Sequence, residues 1–298
     1  MTKCAVVALP LAIVTTLTLS AQQPSFHTET RLVVLRATVK NSHGVEVTDL
    51  DQSAFTVYEN GKRQPITLFR RDDIPVSIGL VIDNSGSMRS MRARAERAAL
   101  DFVRTSNPLD EASVVNFADR PHLDVSLTSD LATLEAGIAR VDSIGGTALR
   151  DAIEEAESYL RDHAARDRRV LLVITDGRDN ASQITEKQIE TLSRESDTAI
   201  YAIGLFGSDS SLAKDGRHEL ETLTERTGGM AYYPASLDEI DAIARDLAQQ
   251  IRRQYTIAYA PTNQSRDGTY RRIRLEARGR EPLTVRTRAG YAATAPTS

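Results

Sequence analysis

As a pattern of apolar and polar positions, the chain changes texture twice. From Thr30 to Phe69, short apolar runs alternate with turn residues: Leu32 to Val39, a turn around Asn41 to Gly44, then Phe55 to Glu59 ahead of Asn60-Gly61. Asn-Gly between apolar runs predicts a tight hairpin, because both residues tolerate positive φ. After Pro75 the pattern differs. Val76 to Ile82 is one unbroken apolar run, as expected of a strand buried on both faces, and it stops at Asp83. Met88, Met91, Ala95, Ala98, Phe102 and Val103 then recur at helical spacing.

Further strands are expected at Ser113 to Phe117, Leu123 to Leu127, Val170 to Ile174, Thr198 to Leu205 and Ala231 to Tyr233. Helical patterns lie between most of them, at Leu131 to Val141, Leu149 to Leu160, Thr185 to Arg194, Glu219 to Thr227 and Leu237 to Ile251. Strands alternating with helices imply an α/β fold: a doubly wound, mostly parallel sheet covered on both sides. Only the short gap through Pro121 reads as a hairpin, which predicts one antiparallel edge strand. Beyond Arg253 the β texture returns, at Tyr255 to Ala260, Tyr270 to Ala277 and Leu283 to Arg288, with Asn263 to Gly268 read as a hairpin turn. The organisation expected is therefore an α/β domain over 74–253. β-rich segments at 22–73 and 254–298 flank it and are expected to pack together as a small domain, since neither alone offers enough strands for stability.

The 298 residues are 41% hydrophobic and 26% charged, the profile of a globular chain large enough for a substantial core. With a formal charge of −4 and basic residues scattered among acids, nothing suggests nucleic acid as a partner. Lys3, the apolar run Ala5 to Leu19 and small residues at Thr18, Ser20 and Ala21 have the layout of a secretory signal over 1–21, with a mature start near Ala21 or Gln22. The run is short for a membrane span and contains Pro10, so cleavage and no remaining span are expected, although an uncleaved anchor is the competing reading. An exported protein, periplasmic, in the cell envelope or extracellular, follows. Cys4 is the only cysteine and precedes that run, so the mature chain would contain no disulfide and no cysteine metal site.

Two of the apolar strands end in aspartate, Asp83 and Asp176. Ligands of open α/β sheets collect outside the carboxyl ends of strands, where the strand order reverses, so neighbouring strands there would aim both carboxylates into one crevice. Adjacent carboxylates repel unless a proton or cation lies between them. Asp83-Asn84-Ser85-Gly86-Ser87 adds two hydroxyls, and Gly145-Gly146-Thr147 adds a third at the start of a helix. Oxygen donors without Cys or His suit Mg²⁺ or Mn²⁺ better than zinc. Taken singly, each element has a plainer reading: D-x-S-x-S as a turn or helix cap, Gly-Gly-Thr as an N-cap, Asp-Gly as a turn. Asp179 and Asn180 read as residues that finish a loop.

D-x-S-x-S, a later Thr after a glycine pair, and Asp-Gly after a further strand together resemble the metal-ion-dependent adhesion site of von Willebrand factor A (VWA) domains, with all five positions filled. The resemblance covers about Ile74 to Arg253 and implies a Rossmann-like VWA fold. It also implies that Ser85, Ser87 and Thr147 touch the metal directly, and that Asp83 and Asp176 act directly or through water. The flanks, with Phe-x-Val-Tyr-Glu-Asn-Gly at 55–61 and Arg288-Ala289-Gly290-Tyr291, are similar to those around the A domain in a group of exported bacterial proteins. The expected function is protein binding, the metal accepting an Asp or Glu carboxylate of a partner, with Mg²⁺ or Mn²⁺ ahead of Ca²⁺. Two alternatives stand beside it: an envelope assembly component with a purely structural metal, and a metal-assisted hydrolase. Against the hydrolase, there is no G-x-S-x-G motif, the five histidines are isolated, and no general base can be named.

Overall fold

A computed structural model describes residues 32–71, 73–139, 144–206 and 211–294. The expected signal segment 1–21 lies outside the described residues, as does the end of the helix expected over Leu131 to Val141. In chain order the elements are β1 (Val33–Asn41), β2 (Phe55–Glu59), β3 (Lys62–Gln64), β4 (Ile66–Arg70), β5 (Ser77–Asp83), α1 (Arg92–Thr105), β6 (Glu111–Phe117), β7 (Pro121–Thr128), α2 (Leu131–Ile138) and α3 (Leu149–His163). There follow β8 (Arg169–Thr175), α4 (Glu186–Glu195), β9 (Ala199–Gly204), α5 (Ser211–Thr227), β10 (Ala231–Tyr232), α6 (Leu237–Arg252), β11 (Tyr255–Tyr259), β12 (Tyr270–Ala277), β13 (Leu283–Arg286) and β14 (Gly290–Ala292).

The central sheet has the order β10-β9-β8-β5-β6-β7 and is parallel except for β7, the antiparallel edge expected from the short gap at Pro121. Every residue of β5 is buried, which is why that strand reads as an unbroken apolar run. Its side chains go alternately to two cores. Ile78, Leu80 and Ile82 join the core under α1, α2 and α6, and Val81 joins the one under α3, α4 and α5. Gly79 allows α3 its close approach, because a Cβ there would stand 2.4 Å from Leu171 Cδ2 and 3.4 Å from Leu160 Cδ1. The sheet winds outward in both directions from the β5–β8 pair, so the strand order reverses there and leaves a crevice beyond Asp83 and Thr175.

Strands from the two flanks pair with one another. One sheet runs β13-β1-β11-β4 and the other β14-β12-β2-β3, with a shared core that includes Leu35, Val57, Tyr255, Ile257 and Leu275. Phe55, Phe69 and Tyr255 meet at ring-centroid distances of 4.9 to 5.8 Å. The Asn60-Gly61 hairpin forms as expected, with φ of 48° and 81° matching the twist of β2 and β3. Asn263 to Gly268 is not a hairpin turn: β11 pairs with β1 and β4, whereas β12 pairs with β2 and β14, so this loop carries the chain from one sheet to the other. α5 begins at Ser211, eight residues before the expected start at Glu219, because its first two turns are too polar to show an apolar stripe. The flank sheets join the central domain through Gln254, whose amide donates to Thr38 Oγ1 at 3.1 Å and to the Tyr201 hydroxyl at 2.8 Å.

Candidate metal centre

All five residues singled out by the sequence surround the crevice at the carboxyl ends of β5 and β8. Asp83 ends β5 and is fully buried. Its Oδ1 accepts from the Ser85 backbone N–H at 2.8 Å, which folds the loop back over the strand end, and its Oδ2 accepts from the Thr175 hydroxyl at 2.5 Å. The Ser85 and Ser87 hydroxyls lie 3.0 Å apart, and Ser87 donates to Asp176 Oδ1 at 2.8 Å. This chain of contacts carries the first loop across to the second strand.

Thr147 arrives from a separate loop. Its N–H donates to Asn180 Oδ1 at 2.8 Å, and its carbonyl accepts from the Asn180 and Ala181 N–H groups at 3.0 and 3.3 Å. The residue is 3% exposed, and its hydroxyl makes no hydrogen bond among the described residues. A Cβ placed on Gly177 would lie 3.3 Å from Thr147 Oγ1 and 3.9 Å from Asp83 Oδ2, so hydroxyl and carboxylate share the space that glycine leaves open. Thr147 does not cap the helix, the plainer reading of Gly-Gly-Thr. The cap position of α3 falls on Ala148, and Asp179 Oδ2 takes the Arg150 N–H at 2.8 Å instead.

Several supporting residues had no sequence signal of their own. Asp119 Oδ1 accepts from Gly146 N–H at 2.6 Å, and its other oxygen stands where a Cβ on Gly145 would be, 2.4 Å away. Gly145, at φ 96°, also accepts from the Gly86 N–H at 3.1 Å, which joins the two hydroxyl-bearing loops directly. Arg92 ties Asn84 to α2 by donating to Asn84 Oδ1 and, at 2.6 Å, to the Ile138 carbonyl. Asp179 and Asn180, which read as loop-finishing residues, hold α3 and Thr147 in place. Their role could have been found only from knowing which loops meet.

Burial pushes the Asp83 carboxyl up to about 6; hydrogen bonds from Ser85 and Thr175 oppose the shift and the neighbouring Asp176 adds to it. Burial also raises Asp176, against the hydrogen bond from Ser87. A carboxyl raised in the folded state binds its proton more tightly there than in the unfolded chain. Without a cation, its contribution to stability is therefore greatest at low pH and is lost as pH rises from about 4 to about 6. A cation needs the deprotonated form. At a fixed subsaturating Mg²⁺ concentration, the rise in melting temperature should accordingly be smaller at pH 5 than at pH 7.5, with apparent affinity weaker by about tenfold. Equal rises at the two pH values would mean that Asp83 is not a ligand.

The donor set fits a hard divalent cation: two carboxylates, three hydroxyls, no sulfur and no imidazole. The buried Asp83 carboxylate is unfavourable in its charged form without a positive partner. Comparison with known proteins agrees with the fold. Residues 78–178 match the family model of the von Willebrand factor type A domain, about a third of the chain. Among solved structures, a von Willebrand factor type A protein from Catenulispora acidiphila superposes with a TM-score of 0.53 at 14% identity, over 87% of this chain and 73% of that one. Proximal thread matrix protein 1 from the mussel byssus, solved with a zinc-occupied MIDAS motif, gives 0.51 at 22% identity, over 65% of this chain and 50% of that one. No curated protein matches the chain. The central part of the chain is thus a VWA domain, with a mostly parallel six-stranded sheet flanked by helices.

Proposed function

We propose that Asp83, Ser85, Ser87, Thr147 and Asp176 hold one Mg²⁺ or Mn²⁺ ion, and that this VWA domain uses it to bind a carboxylate of a partner protein. The observation that carries this reading is the fully buried carboxylate of Asp83, with the Asp176 carboxylate as its neighbour and the Thr147 hydroxyl facing the same space. Asp83 and Thr147 form the floor, while Ser87 is exposed and Asp176 half-exposed at the mouth. A bound cation would supply positive charge at that mouth. Five side chains leave an octahedral ion at least one position for an outside oxygen, and an Asp or Glu of a partner supplies it. The mussel protein carries zinc at a motif of this kind; here the all-oxygen set favours Mg²⁺ or Mn²⁺.

Binding rather than catalysis is the reading favoured by the chemistry, since metal-assisted hydrolysis needs a general base beside an activated water and the motif supplies only ligands. The signal-like segment 1–21 supports export. No helix among the described residues is long and apolar enough to cross a membrane.

Thr147→Ala is the informative test, because it removes one neutral oxygen and leaves both carboxylates. The variant should fold, with its metal-free stability within about 1 kcal/mol of the parent, and bind Mg²⁺ about tenfold more weakly. In pull-downs from envelope extract, capture of a partner should fall with EDTA, return with Mg²⁺ or Mn²⁺, and be weakened by Thr147→Ala. Undiminished capture by the folded variant in EDTA would place recognition on another surface.

A further inference from the structure

A cavity of about 510 Å³ lies at the opposite end of the central sheet from the metal centre, where β8 begins and where β1 and β11 of the flank sheet come alongside. Its volume is in the range of small-molecule sites. Five arginines line it: Arg36, Arg70, Arg168, Arg169 and Arg288. Three acids, Asp167, Glu195 and Asp197, oppose them, leaving a net charge of 5 − 3 = +2. The acids lie at the rim. Asp167 and Glu195 are exposed, and the Asp197 side chain is 72% exposed although it pairs with Arg288.

Arg168 lies deep. It is only 4% exposed, and among the described residues no carboxylate forms an ion pair with it. Its guanidinium donates to the Gln254 side-chain oxygen, and because the Gln254 amide is committed to Thr38 and Tyr201, that arrangement is fixed. Burial pushes the Arg168 guanidinium down to about 10, and the nearby charge of Arg36 adds to the shift, against Tyr201, Asp110 and Asp73. Arg36, on β1, is half-buried and donates to the Thr256 hydroxyl. Burial lowers it too, opposed by Asp167 and Asp197.

Two neighbouring guanidiniums, one of them buried without a carboxylate, are stabilised by an oxyanion between them, for which their planar donor forks are suited. The mouth has a second character. Leu32 and Val34, 49% and 41% exposed, form an apolar wall with Leu68. We propose that this cavity is a second ligand site, for a small organic acid or phosphoester whose oxyanion lies between Arg168 and Arg36 and whose apolar body rests on Leu32, Val34 and Leu68. The site is independent of the metal centre. Its ligand would bridge the base of the VWA sheet and the flank sheet.

The test is calorimetric titration of the full chain with inorganic phosphate and with octanoate, each against sodium chloride at matched ionic strength. Saturable binding of at least one probe is expected. Stronger phosphate binding identifies a phosphoester, and stronger octanoate binding a carboxylate with an apolar body. Arg36→Gln should weaken the preferred probe at least tenfold, and Arg168→Gln should do the same. A cooperative thermal unfolding transition like the parent's reports that each variant is folded, and the half-exposed Arg36 provides the test if Arg168→Gln fails to fold. Absence of saturable binding above the chloride control, or unchanged binding by a folded Arg36→Gln protein, would overturn the proposal.

Discussion

Replacing Glu59 with alanine is expected to destabilise the flank sheets by about 3 to 5 kcal/mol, the loss that follows when one partner of a buried ion pair is removed. Glu59 is 4% exposed and Arg271 1% exposed. Glu59 Oε1 accepts from Arg271 at 3.2 Å, while Oε2 accepts from the Tyr259 and Tyr291 hydroxyls at 2.8 and 2.9 Å. The carboxylate thus joins β2 of the N-terminal flank to β11, β12 and β14 of the C-terminal one. Arg271 also donates to the carbonyls of Asn263 and Ser265, so it fixes the loop between the two sheets. Without Glu59 the guanidinium keeps these neutral partners and the half-exposed Asp267 carboxylate 3.9 Å away, but loses its only buried counter-charge among the described residues. Glu59→Gln, which preserves the shape and an acceptor, should lose less. Urea unfolding, with proteolysis of the 32–69 segment as a local probe, measures both. An alanine variant within about 1 kcal/mol of the parent would show that the network contributes little.

The second large effect is a reversal. At pH 7.5 without metal, Asp83→Asn should stabilise the protein by up to about 2 to 3 kcal/mol, because an amide avoids the burial cost that raises the Asp83 carboxyl to about 6. The amide oxygen can still accept from the Ser85 N–H. With Mg²⁺ at a hundred times its dissociation constant, the parent should gain roughly 2.7 kcal/mol, a rise of roughly 5 to 10 °C in melting temperature, and the variant nothing. The order of stability in EDTA should therefore be lost or inverted in Mg²⁺. A variant less stable than the parent in EDTA would mean that the buried carboxylate is favourable without a cation. Such a result would remove the main physical reason for placing one there.

Asp83 and Asp176 were legible because strands buried on both faces have no polar positions to interrupt them. The first aspartate after each apolar run therefore marks where the chain leaves the sheet, and that is where α/β crevices form. Ser85 and Ser87 were legible as hydroxyls on either side of Gly86 just beyond such a strand end, and Thr147, after a glycine pair at the start of a helix, only through the resemblance of the whole pattern to a VWA metal site. The supports were not. Asp119 matters through Gly145 and Gly146, and Asn180 through Thr147, separations of 26 to 33 positions that no local pattern encodes. Thr175 resembled any residue of a β strand, yet its hydroxyl binds Asp83. In the flanks the strands could be recognised but not their partners. β1 pairs with β11 along Val33 to Ala37 and with β13 along Thr38 to Asn41, a division that only tertiary packing sets. The polar turn at Asn263 to Gly268 illustrates the same limit: turn residues specify a bend, not the sheet to which the chain goes next.

The most direct test of the metal centre is titration of EDTA-stripped, desalted protein with Mn²⁺, with free ion followed by electron paramagnetic resonance. One saturable site per chain is expected, with Mg²⁺ competing for it, weakened by Thr147→Ala and absent in Asp83→Asn. No saturable site, or the same site in the Asp83→Asn protein, would contradict the assignment of Asp83, Ser85, Ser87, Thr147 and Asp176 as the ligands of a bound cation.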